Sequence, residues 1–304
     1  TPWADVHEVA ARLGKGDRPA GQSITPSQEI WQVYVPPDYD PDSGYGVLVW
    51  ISPSDSGAIP YGWEYALRDH KLIYVAAYKS GNDQDVVTRR VPLALTALAS
   101  IEAGYKIDPN RVYVGGFSGG GVTASHMAAG YADLFTGGLF VSVSHGIGTP
   151  SMPVPALPLY ADMKSRGRYV FTAGTEEAEY QIATTRAVDA FHALCVLRTE
   201  YIHIPNAVHA NLEPRIFSRA LTFLDEPKTP GAEEQADCAK SLEARRATAL
   251  GAIRQAMGGS DKAKAWELLR DADTAFGPLV QPELSRYSAC LDGSIPSDCP
   301  APGP

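Results

Sequence analysis

Apolar and polar positions alternate between two periods along most of the chain. Glu29 to Val35 (Glu-Ile-Trp-Gln-Val-Tyr-Val) switches apolar and polar side chains in turn, the pattern of an edge or half-buried strand. Val47 to Ile51, Leu72 to Ala77, Val112 to Val114, Leu139 to Val143 and Tyr169 to Ala173 are short apolar runs of the kind buried on both faces, and Thr199 to Ile204 reads as the last strand. Between them, Gly62 to His70, Thr88 to Ala103, Val122 to Tyr131, Ile182 to Leu194 and Pro214 to Leu224 read as helices. Val91, Leu95, Leu98 and Ile101 show the helical spacing most clearly. Strands alternating with helices predict the α/β class, a mainly parallel, doubly wound sheet flanked by helices. Its ligand site belongs at the carboxyl ends of the strands.

Two stretches resist this reading. Thr1 to Gly21 has no clear period and is expected to wrap the surface. Ser144 to Arg168 spans 25 residues with four prolines and reads as a long loop, and loops of that length usually serve function. A Pro/Lys/Thr linker at Pro227 to Pro230 then predicts a boundary between a catalytic domain (1–226) and an extension (227–304). The extension holds two Ala-rich amphipathic helices, Glu233 to Met257 and Asp261 to Ala275, joined at Gly258-Gly259.

Composition narrows the function. The chain has 304 residues, enough for a large core, with 44% hydrophobic and 20% charged residues. A net charge of −9 argues against nucleic acid or an anionic membrane as partner. No apolar run approaches the ~20 residues that span a bilayer. The chain opens on Thr1 and not Met, which implies trimming. None of Cys195, Cys238, Cys290 and Cys299 has metal-site spacing, and Asp38, Asp40 and Asp42 lack the Gly and Glu of a calcium loop. Cys290 and Cys299 bracket a Gly/Ser/Pro-rich tail, Leu291 to Pro300, that a disulfide would hold. That favours an exported protein over a cytoplasmic one with free thiols.

The chemistry concentrates at Arg111 to Gly121, Arg-Val-Tyr-Val-Gly-Gly-Phe-Ser-Gly-Gly-Gly. A strand, a G-x-S-x-G and a small-residue helix follow one another, the context of a nucleophile elbow that lifts Ser118 above the sheet. Gly119, Gly121 and Ala124 also fit a loose dinucleotide fingerprint. However, Gly115 to Ser118 separate it from the strand end, and the next strand closes on Ser144 where an acid is needed. No Lys follows the glycines, which excludes a P-loop.

In elbow sites the chain order is serine, acid, histidine. His7 and His70 come too early, His126 lies inside the elbow helix, His192 on another helix and His203 within a strand. His209, in the loop after the last strand, is the expected base. His145 follows a strand in the same layer and is expected to touch substrate. The acid belongs in Gly174-Thr175-Glu176-Glu177, with Glu177 preferred and Glu176 next. A buried carboxylate there fixes the imidazole tautomer. The oxyanion donors are expected to be the Gly119 amide and, because Pro53 lacks an N–H, the Ser54 amide. Tyr61, Trp63, Tyr180 and the Ser144 to Arg168 loop are expected to line the substrate. No metal or other cofactor is expected.

With these residues in view, the chain resembles the esterase and polyhydroxybutyrate-depolymerase-like branch of the α/β-hydrolases. Tyr34-Val35-Pro36-Pro37-Asp38-Tyr39-Asp40-Pro41 is similar to that family's opening. Asp108 to Gly121 is similar to its elbow, and Tyr131-Ala132-Asp133-Leu134-Phe135 to its helix exit. The likeness runs from Glu29 to Leu224. Two departures stand out: Ser52-Pro53 replaces the usual His-Gly, and Glu177 replaces the usual Asp. The resemblance implies hydrolysis of a small or polymeric carboxylic ester through an acyl-enzyme. A peptidase or amidase of the same fold, or a fold kept as a binding module, are the alternatives.

Overall fold

The structure is a computed structural model that describes residues 1–16, 24–226, 229–259, 261–294 and 299. Residues 17–21 of the N-terminal stretch, 227 and 228 of the expected linker, and 295–298 and 300 of the expected tail lie outside the described residues.

Among the described residues, seven strands form one sheet: β1 (Trp31–Tyr34), β2 (Gly46–Ile51), β3 (Leu72–Ala77), β4 (Val112–Phe117), β5 (Gly137–Val141), β6 (Arg168–Gly174) and β7 (Thr199–Ile204). Their spatial order is β1-β3-β2-β4-β5-β6-β7. β1 pairs antiparallel with β3 and every other pair is parallel. β2, β3 and β5 are buried along their whole length, as continuous apolar runs require.

The two-residue period of each strand divides the core into two layers. Leu48, Trp50, Tyr74, Tyr113 and Val170 face one way and meet α2 (Trp63–Asp69) and α7 (Pro214–Asp225) through Trp63, Leu67, Phe217 and Leu221. Val47, Val49, Val75, Val114 and Phe171 face the other way. They meet α1 (Val6–Arg12), α3 (Val91–Gly104), α4 (Gly119–Gly130), α5 (Leu157–Ser165) and α6 (Ala178–Ala193).

Both stretches without a period hold a helix. In α1, Asp5 caps the N-terminus by accepting from the His7 and Glu8 amides, and Val6, Val9 and Ala10 are buried. The Ser144 to Arg168 segment contains α5, whose Tyr160 and Met163 are buried and whose Tyr160 hydroxyl donates to the Leu194 carbonyl at 2.6 Å. Isolated helices this short are unstable in water, so packing and not local pattern creates them.

Beyond residue 229 the described residues form α8 (Ala232–Gly258), α9 (Lys262–Phe276) and α10 (Gln281–Asp292), one helix more than the expected hairpin. Leu250, Ile253, Phe276, Leu284 and Tyr287 join the same buried cluster as Phe171 and Phe191. Cys195 is bonded to Cys238, tying the end of α6 to α8, and the expected Cys290–Cys299 pair is present.

At the amino ends of the strands, the end of α7 is pinned by charge. Asp225 accepts from Arg111 at 2.8 Å and from the Tyr113 hydroxyl at 3.0 Å, and bonds His70 Nδ1 at 2.8 Å. His70 Nε2 lies 3.2 Å from Ser218 Oγ.

Candidate active site

β4 ends by turning sharply into α4, and Ser118 sits at the turn with φ +54° and ψ −127°. That backbone is costly for a residue with a Cβ and persists only when its surroundings enforce it. They do. The Ser118 amide donates to the Val141 carbonyl at 2.9 Å. A Cβ on Gly116 would strike the Gly120 carbonyl, and one on Gly120 would strike the Ile51 carbonyl. Only glycine lets α4 pack this closely against β2 and β4.

Glu177 and His209 reach Ser118 from the ends of β6 and β7. The two loops are laced together: Asn206 N–H donates to Thr175 Oγ1 at 2.7 Å, and Glu176 N–H to the Ala207 carbonyl at 3.1 Å. His209 Nε2 lies 2.9 Å from Ser118 Oγ, and its Nδ1 lies 2.5 Å from Glu177 Oε1. The other carboxylate oxygen of Glu177 accepts from the Gly174 amide at 2.7 Å and the Ser142 hydroxyl at 3.3 Å. The Glu177 side chain is 3% exposed and that of His209 33% exposed, so the array runs from a dry floor to an open mouth. Glu176 and Glu179 are exposed and make no hydrogen bond to His209. The imidazole is held on its faces as well. Tyr180 stacks on it at 4.4 Å between ring centroids, and Phe117 lies 4.7 Å away at a tilt of 40°.

Gly119 supplies the first amide of α4, a position whose N–H has no carbonyl partner within the helix. The Ser54 expectation requires correction. Its N–H donates to Ser52 Oγ at 3.2 Å, and the two serine hydroxyls bond each other at 3.0 Å, so the loop satisfies that amide internally.

Other expected substrate residues lie elsewhere. Trp63 is fully buried, stacked on Phe217 at 3.6 Å, with its indole N–H donating to the Leu212 carbonyl at 2.8 Å. It is core, and truncating it would cost ~3–5 kcal/mol of stability. His145 pairs with His126 at 3.0 Å on the flank of α4, with no bond to Ser118, His209 or Glu177. Burial pushes His126 down to about 3 and lowers His145 as well, with Lys15 adding to both shifts; this is a neutral pair. Tyr61 is 97% exposed and lines, with Tyr65 and Pro214, a 640 Å³ surface cavity that does not include Ser118. The Ser144 to Arg168 segment packs against the end of α1 and against Ala275 and Gly277, with Pro153 on Gly14 and Val154 on Gly277. Pro153, Pro155 and Pro158 wall a 510 Å³ cavity beside α1.

Two residues beside Ser118 carry no functional signal in the sequence: Asn82 falls in the loop after β3 and Arg90 within the stretch read as a helix from Thr88. Arg90 ends a single π turn, Val86–Arg90, and is 3% exposed. It donates to the carbonyls of Ser80 at 2.9 Å, Ser52 at 3.0 Å and Gly119 at 3.2 Å. Burial pushes its guanidinium down to about 10, which leaves it charged near neutral pH. It therefore staples the β2 loop, the β3 loop and the start of α4. Asn82, in the β3 loop, lays its carboxamide over Gly119. Among the described residues, no group of three or more His, Cys, Asp or Glu could hold a metal ion, and no helix is long and apolar enough to cross a membrane.

Comparison with solved structures finds this arrangement of strands and helices elsewhere. The chain is similar to the S-formylglutathione hydrolase FrmB of Staphylococcus aureus, with 13% identity and a TM-score of 0.50 over 64% of this chain and 92% of that one. It has the α/β-hydrolase fold. A thermostable esterase is also similar, at 14% identity and a TM-score of 0.47, over 66% of this chain and 59% of that one. No protein-family model and no curated protein matches the chain.

Proposed function

We propose that the protein is a serine hydrolase of carboxylic esters. The observation that carries this reading is the unbroken hydrogen-bonded series from buried Glu177 through His209 to Ser118 on a strained elbow. His209 Nε2 removes the Ser118 proton as Oγ adds to the ester carbonyl. Glu177 holds Nδ1–H and balances the imidazolium charge. The carbonyl oxygen becomes an oxyanion beside the Gly119 amide. His209 returns its proton to the departing alkoxide, and water, activated by the same imidazole, then releases the acid from Ser118. Tyr180 and Phe117 confine the ring during both transfers.

The occupied Ser54 amide is the observation that favours a second reading, a hydrolase fold kept for binding. Two experiments decide. A fluorophosphonate probe is expected to label Ser118, and equal labelling of Ser118→Ala would remove it as nucleophile. Turnover across a panel of p-nitrophenyl esters and anilides is expected for the esters and to vanish in His209→Ala. Anilide turnover of equal rate would shift the reading to an amidase, and no turnover at all would shift it to binding.

We also propose an oxidising compartment outside the cytoplasm, supported by the bonded pairs Cys195–Cys238 and Cys290–Cys299. Location of the tagged protein in cell fractions tests this.

A further inference from the structure

The elbow brings the Gly119 amide to an oxyanion at Ser118, and of the β2-loop positions expected to add a second donor, Pro53 has no N–H and the Ser54 amide is bonded to Ser52 Oγ. Hydrolysis of this type ordinarily uses two or more donors, and removing one costs ~10²–10³ in turnover. The side chain that lies against Gly119 is the Asn82 carboxamide. A Cβ on Gly119 would lie 2.8 Å from Asn82 Nδ2 and 2.7 Å from its Cγ, with Oδ1 nearer still. The glycine is what admits the amide to this position. Among the described residues, the side chain of Asn82 has no hydrogen-bond partner, while its backbone N–H is fixed to the Pro53 carbonyl at 2.9 Å. The loop is fixed further by Gly81 N–H on Asp55 Oδ1 at 3.2 Å and by Arg90, which bonds the Ser80, Ser52 and Gly119 carbonyls together. A fixed loop thus carries an unbonded amide donor beside the residue after Ser118, where it is available to a forming negative charge.

We infer that Asn82 is a catalytic residue whose Nδ2–H donates to the oxyanion. The inference rests on the serine-hydrolase reading above. As Ser118 Oγ bonds to the carbonyl carbon, the π pair moves onto oxygen, the serine proton moves to His209 Nε2, and Asn82 donates a hydrogen bond without transferring a proton. The carbon–oxygen π bond re-forms as the alkoxide leaves with the proton from His209. The terminal torsion of an Asn is soft, so Nδ2 turns to the forming charge at little cost. Arg90 acts through the carbonyls it holds and is a positioning residue.

The test uses Asn82→Ala and Asn82→Asp in the full chain, with p-nitrophenyl acetate as substrate and reactive serine counted by a fluorophosphonate. A phenyl trifluoromethyl ketone, whose serine adduct carries the same oxyanion, reports the site directly. Both variants should keep the parental thermal midpoint, since the side chain is exposed and unbonded. The expected result is a kcat lower by ~10²–10³, KM changed by less than about threefold, and ketone affinity weakened by about the factor lost in kcat/KM. Parental kcat in Asn82→Ala, with turnover abolished in Ser118→Ala, overturns the assignment of Asn82 and leaves the hydrolase reading standing. A lower kcat with unchanged ketone affinity also overturns it. Turnover that survives Ser118→Ala overturns the hydrolase reading and this inference together.

Discussion

Ser118–His209–Glu177 and Ser218–His70–Asp225 contain the same kinds of side chain joined in the same order. Nε2 lies 2.9 and 3.2 Å from the serine, and Nδ1 lies 2.5 and 2.8 Å from the carboxylate. Everything around them differs. Ser118 stands on a strained turn at the start of α4, beside an amide without a helical partner. Ser218 lies within α7, where backbone amides are committed to the helix. His70 caps the C-terminus of α2, where carbonyls converge and developing negative charge is disfavoured. Asp225 is already neutralised by Arg111 and bonded by Tyr113, whereas Glu177 has only a backbone amide, a hydroxyl and His209 among the described residues. A serine, a histidine and a carboxylate in line are therefore insufficient. The charge of the acid must be free to act on the imidazole, and donors must wait where the oxyanion forms. Under the proposed function the first array is the one fitted for reaction, and the second holds α7 to the sheet.

The largest expected effect separates the two serines. Ser118→Ala should lower ester turnover by roughly 10⁴–10⁶, while Ser218→Ala leaves it within about twofold. Mass spectrometry of the fluorophosphonate adduct should find Ser118 alone, and an adduct on Ser218 would erase the distinction. Next come the acids. Glu177→Gln should cost ~10⁴ in kcat with the fold intact, because the amide no longer supports the imidazolium. Glu176→Gln should stay near parental. The opposite result would move the acid by one residue.

Asp225→Asn should leave turnover intact yet lower stability by ~3 kcal/mol at pH 7, since it strands the half-buried Arg111 charge. The effect has a definite pH dependence. Burial raises the Asp225 carboxyl, but the His70 hydrogen bond, the Arg111 charge and hydrogen bond, and the Tyr113 hydroxyl outweigh it and hold the folded pKa below the ordinary aspartate value. Its stabilisation is therefore present above the unfolded pKa of ~3.9 and is lost as pH falls through the folded value. Urea unfolding of parent and Asp225→Asn should show a gap at pH 7 that narrows below pH ~4. A gap that widens on acidification would contradict the pin.

The smallest effect sharpens the contrast between the imidazoles. Tyr180→Ala should lower kcat by ~3–10-fold at unchanged thermal midpoint, the worth of one aromatic stack. Unchanged kcat would return Tyr180 to the role of a substrate contact, read out in KM.

How legible each part was follows from the range of the interactions behind it. β2 and β3 are runs of Gly/Val/Leu/Ile/Ala/aromatic residues that hardly fit anything but a doubly buried strand, so their limits could be read almost to the residue. The elbow was legible because its glycines answer a backbone constraint written in five consecutive residues. The disulfide at Cys290 and Cys299 was legible because its partners close a short loop. Only tertiary structure decided the rest. α1 and α5 lack a strong pattern and owe their order to Val9, Ala10, Tyr160 and Met163 entering a distant core. Trp63 reads equally well as a site aromatic or a core one until Phe217, 154 positions away, stacks on it. Ser54 was the local choice for a donor, and a hydroxyl two residues back takes its amide. Asn82 and Arg90 have no motif at all. Their places beside Ser118 arise because parallel strands bring loops from distant stretches of sequence to one edge, and no local propensity encodes that meeting.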